Sequence, residues 1–76
     1  MNTRPQKRSL TLRGHRTSVS LEDVFWDEFR LIAEARGQAV NELAAEIDEA
    51  RGVSSGLATA IRLFVVNELR AQRDAR

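Results

Sequence analysis

The sequence predicts a mainly α chain that opens on one β-strand, an α+β fold assembled as an intertwined homodimer. Three observations predict it. Arg16-Thr17-Ser18-Val19-Ser20-Leu21 alternates, with Thr17, Val19 and Leu21 on one face and Arg16, Ser18 and Ser20 on the other. Beyond Leu21 the apolar residues recur at helical spacing. The chain has 76 residues, a length whose modest core calls for a staple or for oligomerisation. A strand needs a neighbour for its amides and carbonyls, because a buried unpaired one is costly. With few partners expected inside the chain, the same strand of a second copy is the simplest neighbour.

Taken in order, residues 1–8 read as a flexible basic arm broken by Pro5, and residues 9–76 as the folded domain. Ser9-Leu10-Thr11-Leu12 alternates and could itself be extended, and Gly14 interrupts it. Residues 9–21 are then either one strand kinked at Gly14 or a hairpin turning at Arg13-Gly14-His15. The kinked form is preferred, since a hairpin more often carries Asn-Gly or Asp-Gly at its turn.

A first helix is expected from about Glu22 to Arg36, with Phe25, Phe29, Ile32 and Ala33 as its buried stripe and Trp26 and Leu31 widening it. Glu22 and Asp23 suit the positive end of the helix dipole, and Gly37 suits a left-handed terminator. Ser20-x-x-Asp23 could be a capping box, a role that competes with a strand role for Ser20. A second helix should start with Asn41 as its cap, carry Leu43, Ala44 and Ile47 inward, and end near Arg51 ahead of Gly52. Ser54 or Ser55 would cap a third, running to about Gln72 on a stripe of Leu57, Ala60, Ile61, Phe64, Val65 and Leu69. No internal repeat is read.

Composition narrows the function. There is no cysteine, which excludes disulfides and thiolate metal sites, and His15 is the only histidine. No metal and no cofactor are expected. No apolar run approaches the roughly 20 residues of a membrane span, and the basic N-terminus lacks the apolar core of a signal peptide. A cytoplasmic protein with no membrane partner is the default. The acidic residues stand at surface spacing without a converging set of titratable groups, so an enzyme is not expected.

The net charge is only +1, but residues 1–21 carry +5, residues 22–49 carry −7 and residues 50–76 carry +3. A basic opening ahead of an acidic body points to contact with a polyanion through one face.

One strand, a helix, a glycine-bearing turn and a second helix resemble the ribbon-helix-helix DNA-binding fold of the Arc and MetJ type. More narrowly, the run from Lys7-Arg8-Ser9-Leu10-Thr11-Leu12-Arg13-Gly14-His15-Arg16 to Thr17-Ser18-Val19-Ser20-Leu21-Glu22 looks like the opening of a group of short bacterial proteins of that class, presumed to bind DNA. Ser54-Ser55-Gly56-Leu57-Ala58-Thr59-Ala60-Ile61-Arg62-Leu63-Phe64-Val65 looks like a later stretch of the same group. The resemblance runs from about Lys7 to Arg70.

It implies a homodimer whose two strands pair antiparallel and enter the major groove. Arg16, Ser18 and Ser20 would then contact bases. Val40 and Asn41, at the start of the second helix, would hold a phosphate, as helix N-termini do. Lys7, Arg8 and Arg13 are expected on phosphates, the commoner kind of contact. Val19, Leu21, Phe25, Phe29, Ile32, Leu43 and Ile47 would form the dimer core.

The chain departs from the family in three places. Glu22 stands where the family usually has proline, and its carboxylate would lie near DNA. Thr17 is polar at an inward position. The third helix exceeds the minimal fold. The reading is a sequence-specific DNA-binding protein acting as a transcriptional regulator. The alternatives are an antitoxin-like module whose C-terminal helix binds a protein partner, or an adaptor using the acidic face.

Overall fold

The structure, a computed structural model, describes residues 3–52 and 55–75. Its order is β1 (Gln6–Leu12), β2 (His15–Leu21), α1 (Asp23–Ala35), α2 (Val40–Ala50) and α3 (Leu57–Asp74). The helices form where expected, but Leu31 of α1 and Leu69 of α3, expected on the inward stripes, are exposed. Ser54, one of the two expected caps of the third helix, lies outside the described residues, and Gly56 occupies the cap position of α3.

The opening differs from expectation. Residues 6–21 form a hairpin in which β1 pairs antiparallel with β2, from Gln6 opposite Leu21 to Leu12 opposite His15. Lys7 and Arg8 are therefore strand residues and not part of an arm. Arg13 and Gly14 make a two-residue turn with φ of 52° and 85°. Positive φ at both central positions is the turn whose twist matches that of its strands. Arginine is an unusual choice for a left-handed residue. Here its guanidinium reaches α2, where Nε donates to Glu49 Oε1 at 2.7 Å. That tertiary contact stands in for the local preference of Asn or Asp.

The hairpin changes the assembly argument. β2 finds a neighbour for one edge within the chain, which the expectation of few internal partners did not provide for, and its other edge is unpaired in the two-stranded sheet. The residues expected in a dimer core are the core of one chain. Leu10 and Leu12 of β1 join Val19 and Leu21 of β2 over Phe29, Ile32 and Ala33 of α1 and Leu43 to Ala45 and Ile47 of α2. Ile61 and Val65 of α3 complete it, and Phe25, Trp26, Val40 and Phe64 pack around it half-buried. Leu21, Phe29 and Ile61 are fully enclosed, each such side chain contributing about 1.5–3 kcal/mol of burial. The third helix is thus built into the core, with Phe64 meeting Phe29 edge-on at 6.3 Å between ring centres.

Two further arginines bind the helices together. Arg36 pairs with Glu68 and lies 5.0 Å over the Phe64 ring, joining the end of α1 to α3. Arg51 donates from Nε to Asp48 at 2.7 Å and from Nη1 to the Ser55 carbonyl at 2.6 Å. It ties the end of α2 to the approach of α3.

Gly14 has open space around its Cα, so a larger side chain there meets only the backbone penalty of positive φ. Gly14→Val is expected to lower the unfolding free energy by about 1–2 kcal/mol, read as an earlier urea midpoint at unchanged slope.

Candidate nucleic-acid interface

Alternation along the hairpin sorts its side chains onto two faces. Gln6, Arg8, Leu10 and Leu12 of β1 and Thr17, Val19 and Leu21 of β2 turn toward the helices. Lys7, Ser9 and Thr11 of β1 and Arg16, Ser18 and Ser20 of β2 turn outward, and all six are exposed. The register sets Lys7 opposite Ser20, Ser9 opposite Ser18 and Thr11 opposite Arg16. The outer face is therefore four hydroxyl side chains with one cation at each of two diagonal corners. Among the described residues neither Lys7 nor Arg16 has an ion-pair partner, whereas most arginines of this chain do.

The three residues expected to read bases, Arg16, Ser18 and Ser20, thus share one open face. Ser9 and Thr11 lie on it too and were not foreseen, because a single strand was assigned to the ribbon. Their signal was the alternation of residues 9–12, which becomes decisive only once the chain turns at Arg13-Gly14. Thr17 has the inward parity but remains exposed, so no hydroxyl is buried there.

The expected phosphate contacts fall out differently. Lys7 is on the outer face. Arg8 is turned inward and only 19% exposed, where it pairs with Asp23, donates to the Leu21 carbonyl at 3.3 Å and lies 5.4 Å over the Trp26 ring. Its place on β1 puts it on the helix side, where its guanidinium is engaged within the fold. Arg13 is exposed at the hairpin tip on Glu49, which raises its already high pKa through their hydrogen bond and charge attraction. Asn41 is not the cap of α2, since Ala39 is, with the Glu42 carboxylate accepting from the Ala39 amide at 3.1 Å. Asn41 instead accepts from the Thr11 amide through Oδ1 at 3.1 Å. That bond fastens the start of α2, with Val40, beside β1.

At the other end of the ribbon, Arg62 of α3 answers the concern over Glu22. Its Nε donates to Glu22 Oε1 at 2.9 Å and its Nη2 to the Ser20 carbonyl at 3.2 Å, while the guanidinium lies 5.8 Å from the Phe25 ring centre. Arg8 and Arg62 therefore grip the strand-to-helix junction from its two sides. One takes the Leu21 carbonyl, Asp23 and Trp26. The other takes the Ser20 carbonyl, Glu22 and Phe25. Nothing in the local sequence pairs residue 62 with residue 22, so only the packing of α3 shows it.

Among the described residues no cluster of His, Asp and Glu is placed to hold a metal ion, and no helix is long and apolar enough to cross a membrane.

Residues 5–69 match the ribbon-helix-helix domain family. The chain belongs to that family. The solved structure of an uncharacterized protein from Bordetella pertussis Tohama I is similar at 33% identity and a TM-score of 0.77, over 93% of this chain. The match spans 60% of that protein's length. No curated protein matches the chain. The family match takes in both strands of the hairpin, α1, α2 and most of α3, so the third helix lies within the matched region of this ribbon-helix-helix domain.

The Glu22 carboxyl is held below the usual carboxylate range, first by its own backbone amide and then by Arg62. A depressed folded-state pKa adds stability above the ordinary carboxylate range and loses it as pH falls through the lowered value. Glu22→Gln is therefore expected to flatten the acid side of the stability profile. Urea midpoints of the two proteins compared at neutral pH and in acid measure this, with the difference shrinking in acid.

Proposed function

We propose that this ribbon-helix-helix domain is a sequence-specific DNA-binding protein, acting as a transcriptional regulator, and that its hairpin ribbon enters the major groove. The observation that carries this reading is the outer ribbon face, with four hydroxyls and two cations, Lys7 and Arg16, that have no ion-pair partner among the described residues. A B-form major groove is about 12 Å wide and admits a two-stranded ribbon. Arginine can donate twice to guanine, while serine and threonine bond to bases or phosphates. The N-terminus of α2, with the Val40 and Asn41 amides, is the backbone anchor in this reading, and its dipole favours a phosphate. The acidic body confines contact to the ribbon side in this reading, and the carboxylates at the strand-to-helix junction are offset by arginines, Glu22 by Arg62 and Asp23 by Arg8.

Fluorescence anisotropy against tiled duplexes of upstream DNA, across a salt series, tests this. One fragment should bind well above the rest, with a log–log salt slope of about 0.9 per phosphate neutralised. Arg16→Ala should compress the preferred fragment toward the others, by roughly 1–3 kcal/mol of lost discrimination. Flat binding by the unsubstituted protein would refute the reading.

A homodimer also belongs to this proposal, with the unpaired edge of β2 open to the same strand of a second copy and an exposed apolar surface on the helices beside it. Leu31 of α1 is 56% exposed and Leu69 of α3 38% exposed, and both line one groove with Glu28, Ile32, Ala35 and Gln72. Leu63 and Val66 of α3 are exposed as well, and exposed apolar surface of this kind marks an association site. A second copy seated there would leave both ribbons free. Sedimentation should show a dimer that Leu69→Asp converts to a monomer without unfolding. A heterologous protein on the same row is the competing occupant, favoured if the unsubstituted chain is monomeric.

A further inference from the structure

Backbone polarity distinguishes the two edges of the hairpin. Residues opposite each other in an antiparallel pair alternate between exchanging both ladder hydrogen bonds and exchanging none. The Thr11 amide donates to Asn41 Oδ1 at 3.1 Å, so Thr11 and Arg16 are a pair of the second kind. Ser9 with Ser18 and Lys7 with Ser20 follow in step. The amides and carbonyls of Arg16, Ser18 and Ser20 therefore point away from β1, along the free edge of β2. Among the described residues only the Ser20 carbonyl meets a partner there, Arg62 at 3.2 Å. The free edge of β1 is guarded differently. Asn41 occupies it at Thr11, and α2 packs chiefly beside β1 whereas α3 packs beside β2. A second copy of β2 thus fits the β2 edge and leaves β1 on the outside. From the centre outward the order is β2, β1 and the start of α2.

Resting on the DNA-binding reading and the β2 pairing proposed above, we infer that the strands divide the work. β2 meets the bases, while β1 is a phosphate rail on which Lys7, Ser9 and Thr11 hold the sugar-phosphate walls of the groove. Width carries the division. Neighbouring strands lie about 4.8 Å apart, so two β1 strands flanking a β2 pair stand roughly 14 Å from each other. A major groove about 12 Å wide takes the central pair and not all four strands. The outer strands then lie over its walls. Their exposed side chains have the matching chemistry, one ammonium and two hydroxyls per chain with no carboxylate among them. Lysine acts on phosphate as a point charge, and serine and threonine hydroxyls donate to phosphate oxygens. Arg16, whose planar fork suits guanine, stands on the central strand. The Thr11 amide is tied to Asn41, so this end of the rail adjoins the α2 terminus that anchors the DNA backbone in the same reading. Lys7 stands four residues further along the strand, at about 3.4 Å each, and engages a separate phosphate.

Anisotropy on the preferred duplex and on unrelated duplexes, across a salt series, tests this with Lys7→Ala, Lys7→Arg and Thr11→Lys in the full chain. Both positions are exposed, and unchanged urea midpoints would verify the folds. Lys7→Ala should weaken every duplex by the same factor and lower the log–log salt slope by about 0.9 per chain, or about 1.8 for a bound dimer. Lys7→Arg should restore the slope. Thr11→Lys should steepen it by the same amount and create no new preference. The inference is overturned if Lys7→Ala leaves the slope unchanged, or if it compresses the preferred duplex toward the rest as loss of a base contact does. It is equally overturned if sedimentation of the saturated complex finds one chain per duplex. An unsubstituted protein that prefers no duplex refutes the DNA-binding reading itself, an outcome read before any variant is compared.

Discussion

The pairing of β2 with β1 across the Arg13-Gly14 turn is the contact on which the rest of this molecule depends. A strand with one free edge and one apolar face cannot stand alone in a chain of helices. Supplying a neighbour from just upstream satisfies one edge of the strand locally and doubles the apolar face offered to the core. Leu10 and Leu12 then enclose the top of α1 and α2 together with Val19 and Leu21. The same pairing sets which side chains are left outside. One turn, two residues long, thus determines both the core and the exposed ribbon.

Among the described residues, the two cations on the outer ribbon face, Lys7 and Arg16, make no ion pair, whereas the inward Arg8 does. Arg8, Arg36, Arg51 and Arg62 each meet a carboxylate within the fold, and three of the four also lie over an aromatic ring. Exposed pairs of this kind contribute little individually. Their effect here is positional. Arg8 and Arg62 hold consecutive carbonyls at the strand-to-helix junction, which fixes the angle between ribbon and α1. The acidic excess of residues 22–49 therefore does not repel a polyanion uniformly. Part of it is matched by arginines at the strand-to-helix junction, at Glu22 and Asp23, and Glu49 meets Arg13 at the hairpin tip.

The third helix takes its meaning from this arrangement. It contributes Ile61 and Val65 to the core, Phe64 against Phe29, and Arg62 to the junction. It is an integral wall of the domain that also carries an exposed row, Leu63, Val66 and Leu69, along its outer side. A helix that closes the core on one face and leaves leucines in solvent on another links folding to association in a single element.

The sequence by itself determined the helices, most of the inward stripe of each with Leu31 and Leu69 as exceptions, the outward parity of Arg16, Ser18 and Ser20, and the family, because these follow from periodicities of 2 and 3.6 and from short motifs. It did not determine that residues 6–12 pair with residues 15–21. The turn uses Arg13 in a left-handed conformation, a choice disfavoured locally and supported by Glu49, 36 residues away. Nor could it separate the roles of the arginines. Arg8 and Arg16 look alike along the chain, yet strand parity and the placement of Asp23 and Trp26 turn one inward and leave the other free. Asn41 shows the same limit, since its side chain reads as a cap and acts on the Thr11 amide of another element. Local propensity acts over a few residues, while these assignments depend on partners 15 to 40 positions distant, which only tertiary packing brings within reach.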